Sequence, residues 1–420
     1  RMIFAVVTLV HLADSMEQLD ADTETLLAIG REHLCQFSVL RYQQEDGLNT
    51  VLPYGLRRIK ALRTLTTEST AVLMPFRALE IQDPGGLNYG INAASKTPLI
   101  CNRKKLISPH AFVLGVSGSG KSVNMKSTIT NVALATNDDI IVIDAEREYS
   151  PLVRALGGEI IEISPHSRHH INPLDMGVDY GNGENPIAMK SEVLMSIIEQ
   201  QMGTGTLTGA QKSIIDRCTS KILRPYLKNG CKGPAPLLSD WRREVLNQPE
   251  EAAKEIALAS EIIVEGTLSV FAHPTNVDMG SRIISLDLYE MGEQLRPTAL
   301  VVTLEAIQNR VMENRKRGKY TWVFIDEVYL FFKYHYSAQF LYKAWKRFRK
   351  YAAPMTAATQ NVEECLRSET ARLMFANSEF LVLLNQAATD RAELAKLLHI
   401  SETQMRYITN SAPGSGLIRM

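Results

Sequence analysis

The sequence has no long hydrophobic run. Near its start the longest apolar stretch covers residues 3–10, is interrupted by Thr8, and falls far short of the roughly 20 residues that span a bilayer. This stretch continues into polar residues 14–17 without the cleavage site of a signal peptide. We therefore expect no membrane-spanning helix. Because Arg1 precedes Met2 and a Gly-rich turn at 411–416 enters an apolar end, we interpret both termini as cuts inside a longer protein.

Cysteine pairs and an excess of one charge are also missing. The five cysteines show no C-x-x-C spacing and no histidines at zinc-site spacing: Cys35, Cys101, Cys218, Cys231 and Cys365. The pattern excludes a disulfide framework and favours a reducing cytoplasm. The 46 basic residues balance 46 acidic ones, whereas free nucleic-acid-binding proteins are usually more basic.

What is present is the composition of a globular protein, with 45% hydrophobic and 22% charged residues in 420. Residues 2–10, 14–31 and 35–41 have the patterns of a strand, an amphipathic helix and a second strand. From residue 106 onward strands alternate with helices, which predicts an α/β fold with a mostly parallel sheet flanked by helices. The predicted domains are the end of an N-terminal α+β domain (1–47), a connector with short strands (48–105), the sheet domain (106–185 and 276–420) and an all-helical insertion (186–275).

A complete phosphate-binding pattern follows the first strand of the predicted sheet. Residues 115–122 read GVSGSGKS, which fits G-x-x-x-x-G-K-[ST] between a strand and a helix. In this pattern backbone N–H groups and the helix N-terminus face the phosphates, the lysine reaches the outer phosphates, and the last hydroxyl can ligate magnesium. The residues predicted to bind ATP are Gly115, Ser117, Gly118, Ser119, Gly120, Lys121, Ser122 and Val123, with Ser122 also a magnesium ligand.

Acidic and amide side chains end two later strands. Residues 322–325 are apolar and lead into Asp326 and Glu327, which we interpret as the magnesium-binding carboxylate and the base that activates water. The next strand, 354–360, ends in Gln360, a candidate γ-phosphate sensor. Because parallel strands end at one edge of their sheet, these residues should lie beside the phosphate loop.

A basic stretch lies on the helix predicted at 336–351. Its apolar residues Leu341, Trp345 and Phe348 follow helical spacing and should be buried, which leaves the cationic residues on a solvated face. A solvated face is the simplest interpretation, and a nucleic-acid-binding stripe is an alternative. A third interpretation is that Arg349 or Arg347 reaches the nucleotide of a neighbouring subunit.

With these motifs in place, the chain resembles the VirB-type conjugation ATPases of type IV secretion systems, within the FtsK/HerA group of P-loop motors. The resemblance extends to residues 52–55 (LPYG), 90–92 (GIN), 171–175 (INPLD) and 389–391 (TDR). It implies a RecA-like domain with a helical insertion, and ATP turnover with Mg²⁺ at the cytoplasmic face of the bacterial inner membrane, supporting pilus assembly and substrate transfer.

The resemblance also implies partners and site residues. It matches Lys121 and Ser122 to the phosphate loop, and Asp326 and Glu327 to the paired carboxylates. It matches Gln360 to the sensor. For the catalytic arginine it leaves Arg349, Arg347 and the later Arg391 open, and we prefer Arg349. The implied partners are other secretion subunits and further copies of the chain, in a homo-oligomer such as a hexamer.

Two other functions compete with a secretion ATPase. A DNA-pumping translocase or conjugative coupling protein of the same superfamily is the alternative, although the neutral charge does not indicate DNA binding. A scaffold without catalysis would have lost Lys121 or Glu327, and both are present.

Overall fold

The computed structural model describes residues 2–72, 80–177, 180, 185–203, 207–266 and 269–420. The chain forms two compact units, Arg1–Leu79 and Glu80–Met420. The domain boundaries expected at residues 47, 105, 185 and 275 remain predictions. Within the described residues no helix combines the length and the hydropathy that crossing a membrane requires.

The first unit contains two paired strands and three helices: β1 (Met2–Ala5), α1 (Met16–Glu32), α2 (Gln44–Val51), β2 (Arg63–Thr66) and α3 (Thr67–Val72). Strands β1 and β2 are antiparallel. The first strand was expected to reach residue 10, and it ends at Ala5.

The strand predicted at residues 35–41 is wrong. This segment, which the structure describes completely, packs on the helices instead of pairing with a strand. A Cβ atom added to Gly30 would lie 2.6 Å from the Phe37 ring, and one added to Gly47 would lie 2.7 Å from Leu40. The apolar side chains of the segment therefore cover glycine positions on α1 and α2.

The second unit begins with a hairpin and continues with alternating strands and helices. Its elements are β3 (Leu87–Ile91), β4 (Pro98–Cys101), β5 (Ala111–Leu114), α4 (Lys121–Ala135), β6 (Asp139–Asp144), α5 (Ser150–Ala155), β7 (Glu159–Glu162), α6 (Pro186–Met202), α7 (Gly209–Lys228), α8 (Leu238–Leu246), α9 (Glu251–Val264), β8 (Ile283–Asp287), α10 (Gly292–Lys316), β9 (Thr321–Ile325), α11 (Tyr329–Phe332), α12 (His335–Lys350), β10 (Met355–Thr359), α13 (Val362–Arg367), α14 (Glu369–Ala376), β11 (Phe380–Leu383), α15 (Ala388–Leu398), α16 (Glu402–Met405) and β12 (Leu417–Arg419).

Eight of the described strands form one sheet in the order β12-β11-β5-β10-β9-β6-β8-β7. All neighbours are parallel except β11 and β12, which are antiparallel. The predicted mostly parallel α/β sheet is confirmed. Strand β8 lies between β6 and β7, so the chain leaves the sheet after β7 and returns inside it.

Both faces of the sheet are buried, because successive residues of each strand point to opposite sides. Phe112, Ile141 and Ile325 belong to a core with α10, α12 and the helices after β7. Val113 and Phe324 belong to a second core with α4, α5 and the β3–β4 hairpin. Helices therefore cover both apolar faces of the sheet. The edge at which the strands end is left for polar residues.

Helices α6 to α9 form a helical layer joined to the sheet through the INPLD segment. The Lys190 ammonium on α6 is fully buried and donates to the Glu305 carboxylate of α10 at 2.7 Å and to the Pro173 carbonyl at 2.8 Å. The Asn172 amide donates to the Pro236 carbonyl before α8 at 2.9 Å. This segment therefore holds the helical layer against α10.

Candidate nucleotide-binding site

The phosphate loop begins where the buried strand β5 ends and finishes at the first residue of α4. Two of its glycines are required by the backbone conformation of the loop. Gly118 and Gly120 have φ angles of 75° and 99°, in the region that side chains disfavour. A Cβ atom on Gly120 would also lie 2.8 Å from the Gly414 nitrogen, and that nitrogen donates to the Ser119 carbonyl at 2.8 Å. The turn at 411–416 therefore packs on the loop.

The loop has the features of an anion site. Helix α4 starts without a side-chain cap and without an acidic residue in its first turn, so its first N–H groups remain available to an anion. Ser117 and Gly118 are exposed at the tip, while Ser122 is half-buried and Val123 is exposed. The Ser119 hydroxyl is buried, and no group in the described part of the chain forms a hydrogen bond with it. This is the surface on which phosphates can be held.

The phosphate loop is joined to the end of β9 by a contact between the loop lysine and two carboxylates. The Lys121 Nζ atom lies 2.8 Å from Glu327 Oε1 and 3.2 Å from Asp326 Oδ1. All three side chains are almost completely buried. Strand β10 separates β5 from β9, so the long lysine side chain spans one strand to reach these groups. The structure thus brings together the two predicted motifs.

Glu327 has an unusual backbone. Its φ angle is 50°, which a non-glycine residue adopts only at a cost of order 1–3 kcal/mol. Its Oε2 atom is buried and has no hydrogen-bond partner among the described residues, whereas Oε1 accepts from Lys121. A strained, buried carboxylate with one unused oxygen is a good candidate for a group that acts on a ligand or a water.

Burial shapes the electrostatics of this cluster. It raises the pKa of Asp326 to about 6, against the opposing effect of the Lys121 charge, and the Glu327 charge raises it further. Burial lowers the pKa of Lys121, but the Asp326 and Glu327 carboxylates outweigh it and the net pKa is raised. Lys121 therefore stays charged at neutral pH. The Asp326 carboxyl group loses its proton near pH 6, just below neutral pH.

The donor set suits a magnesium ion. Mg²⁺ prefers oxygen ligands and usually binds proteins through one or two side chains plus phosphate and water. Ser122 supplies a half-buried hydroxyl at the start of α4, and Asp326 supplies a carboxylate. The residues present therefore fit this ion.

Gln360 lies next to the start of the phosphate loop. It follows Thr359, whose carbonyl accepts from the Gly115 N–H at 3.4 Å, and its own side chain is exposed. The backbone therefore places Gln360 beside the phosphate loop. Its contact with a γ-phosphate remains a prediction.

The candidate arginines lie at two different edges of the sheet. Helix α12 runs from the end of β9 back to the beginning of β10, so Arg347 and Arg349 in its last turn lie at the edge opposite the phosphate loop. Arg349 is exposed. Arg391, in the first turn of α15 after β11, lies at the phosphate edge and is half-buried. Neither arginine of α12 can serve the phosphate loop of its own chain.

Gln386 was not predicted from the sequence. This side chain is almost completely buried, and its amide donates to the carbonyls of Leu114 at 2.8 Å and Leu384 at 2.9 Å. It thereby fixes the end of β5, directly before the loop. Its place three residues beyond the end of β11 was the only signal.

Comparisons with known proteins agree with this geometry. Residues 87–257 match the family described as the central domain of helicase HerA. The structure of VirB4 from Thermoanaerobacter pseudethanolicus superposes with a TM-score of 0.71 at 21% identity, covering 81% of this chain and 95% of that one. The chain has the fold of VirB4. The expected RecA-like fold is thereby confirmed, and the resemblance to the VirB-type conjugation ATPases is confirmed at the level of the fold.

A more distant similarity is found to conjugative coupling proteins. An unbound form of TrwBΔN70 has a TM-score of 0.51 at 13% identity over 76% of each chain. TrwB in complex with the ATP analogue ADPNP has a TM-score of 0.50 at 13% identity, covering 79% of this chain and 81% of that one. No curated protein matches the sequence.

Proposed function

We propose that this chain binds Mg²⁺-ATP and hydrolyses it, as the motor of a type IV secretion or conjugation system. The observation that supports it best is the contact of Lys121 with Asp326 and Glu327 at 3.2 and 2.8 Å, above a complete phosphate loop. Phosphoryl transfer needs a held phosphate, a metal and an oriented water, and this cluster supplies a residue for each.

The proposed roles are distinct. The loop N–H groups and Lys121 hold the phosphates, and Ser122 and Asp326 hold magnesium. Glu327 accepts the proton of the attacking water, and Gln360 contacts the γ-phosphate. When bound, the metal would neutralise the charge that develops on the phosphate oxygens.

The first experiment is phosphate release and ATP binding by the full chain. Lys121→Ala should lose ATP binding and turnover, and its circular dichroism should match that of the unchanged protein. Unchanged turnover in Lys121→Ala would reject the assignment. Glu290→Gln, an exposed substitution at the same sheet edge, is the control and should hydrolyse normally.

The cellular setting follows from the relatives and remains a proposal. We infer that the chain acts peripherally at the cytoplasmic face of the inner membrane with other secretion subunits, and that it works as a homo-oligomer such as a hexamer. Co-purification of the chain with secretion components from membranes tests the first inference. Sedimentation with and without ATP tests the second.

The alternative is a DNA-pumping translocase or coupling protein, which the similarity to TrwB keeps open. The balance of 46 basic and 46 acidic residues disfavours it. Measuring ATP turnover with single-stranded and double-stranded DNA separates the two. A several-fold stimulation that disappears with added salt would favour the translocase.

A further inference from the structure

The turn after β6 is held rigidly at the phosphate edge of the sheet. Asp144, the last residue of β6, is fully buried, and its two carboxylate oxygens accept from the N–H groups of Glu148 and Tyr149 at 3.0 and 2.9 Å. Arg147 has a φ angle of 57°, and its guanidinium donates to Asp287 at 2.5 Å. This turn therefore presents Glu148 from a fixed backbone.

Glu148 is presented next to the proposed magnesium ligand. Strands β6 and β9 are parallel neighbours, with Ile143 opposite Ile325. The Asp326 N–H donates to the Ile143 carbonyl at 3.1 Å, which places Asp326 beside Asp144. The Glu148 carboxylate is close enough to contribute to the raised pKa of Asp326, after burial and Glu327.

Glu148 differs from the other acidic residues around it. Its side chain is exposed, and among the described residues it has no hydrogen-bond or salt-bridge partner. Glu146, two residues earlier, is paired with Arg296 at 2.9 Å, and Glu327 is paired with Lys121. An anionic group that is fixed by its backbone but left without a cation favours a cationic or hydrogen-donating ligand.

A bound magnesium ion supplies such donors. The ion keeps several water ligands, and carboxylates beyond its first coordination sphere orient these waters by accepting hydrogen bonds. In the described part of the chain, no three His, Cys, Asp or Glu side chains are arranged to hold one ion directly. A role through water needs no such arrangement.

We propose that Glu148 is a positioning residue that accepts a hydrogen bond from a magnesium-bound water at the Ser122–Asp326 site. This inference rests on the proposed function, because it assumes that Mg²⁺-nucleotide binds there. It adds a third acidic residue, from the turn after β6, to the pair that follows β9.

The test measures magnesium dependence without turnover. The affinity of the full chain for ADPNP is determined by calorimetry in EDTA and across a Mg²⁺ titration. In Glu148→Gln the Mg²⁺ concentration at half-effect should rise about 10-fold, the usual lower limit for loss of an outer-sphere partner. The affinity in EDTA should remain within about twofold, and Glu148→Asp should recover part of the Mg²⁺ effect because it keeps a carboxylate.

Glu146→Gln is the matched control, since it removes an acidic charge from the same turn and should leave the Mg²⁺ titration unchanged. An unchanged titration in Glu148→Gln overturns the inference, whether or not turnover falls. An equal loss of affinity in EDTA also overturns it, because the turn would then act on the loop and not on the metal. If the unchanged protein binds no ADPNP under any condition, the proposed function itself fails.

Discussion

The contact between Lys121 and Glu327 predicts an unusual response to substitution. The Lys121 ammonium is neutralised by Asp326 and Glu327. A phosphate must compete with Glu327 for this ammonium and must approach the Glu327 charge. Glu327→Gln should therefore abolish hydrolysis and at the same time strengthen ATP binding.

The magnitude can be bounded from the distances. Two unit charges about 4 Å apart interact by about 4 kcal/mol at an effective dielectric constant near 20. The Gln amide oxygen still accepts from Lys121, and magnesium screens part of the phosphate repulsion, so only a fraction of this appears in binding. We expect a gain of about 1 to 2 kcal/mol, or roughly 5- to 30-fold in affinity.

Two measurements together check this prediction. Calorimetry with ADPNP and Mg²⁺ gives the affinity, and a phosphate-release assay gives the turnover. Lys121→Ala should lose both, whereas Glu327→Gln should lose turnover only. If Glu327→Gln weakened ADPNP binding as much as Lys121→Ala, Glu327 would be holding ligand or fold, and its assignment as the base would be refuted.

Three further predictions concern pH, the neighbouring subunit and the helical layer. The Asp326 carboxyl group must lose its proton to bind magnesium, and its pKa is about 6. The Mg²⁺ concentration needed for ADPNP binding should therefore rise roughly 10-fold between pH 7 and pH 5; a concentration that does not change with pH would contradict this role. Mixing inactive Arg349→Ala chains with inactive Lys121→Ala chains should restore some turnover if Arg349 acts in trans, since such arginines contribute about 10³–10⁵ in rate; full activity of Arg349→Ala alone would exclude it. Trp241→Ala removes a buried ring that donates to Thr219, and it should lower the free energy of unfolding by about 3–5 kcal/mol in thermal denaturation while ADPNP affinity stays the same; abolished affinity in a folded variant would show that the helical layer completes the pocket.

The phosphate loop was predictable because its information is local. Eight consecutive residues specify glycines at the two positive φ angles, a lysine at the start of α4 and a hydroxyl after it. The buried strand before Asp326 was equally clear from its apolar run. Local patterns of this kind can be recognised in a single sequence because the chemistry requires these residue types at fixed spacing.

The contacts between these segments could not be predicted in the same way. The distance from Lys121 to Glu327 depends on β10 lying between β5 and β9, and this order joins strands that are remote in sequence. Glu148 was missed for a similar reason, since its importance comes from Asp144 and Asp326 on neighbouring strands. The incorrect strand prediction at 35–41 shows the converse. Apolar and polar residues alternate in this segment as in a strand, but its Phe37 side chain packs on Gly30 of α1.

The strand order also constrains when the sheet can form during translation. Strand β5, which ends at the phosphate loop, pairs with β10 and β11, and both of these strands are translated after the helical layer. Strand β6 likewise waits for β8 and β9, with the helical layer translated in between. Such distant pairings are slow to form and leave strand edges uncovered in the nascent chain. ATP binding should therefore be acquired only after β11 has emerged, and the helical layer has time to fold before the sheet closes.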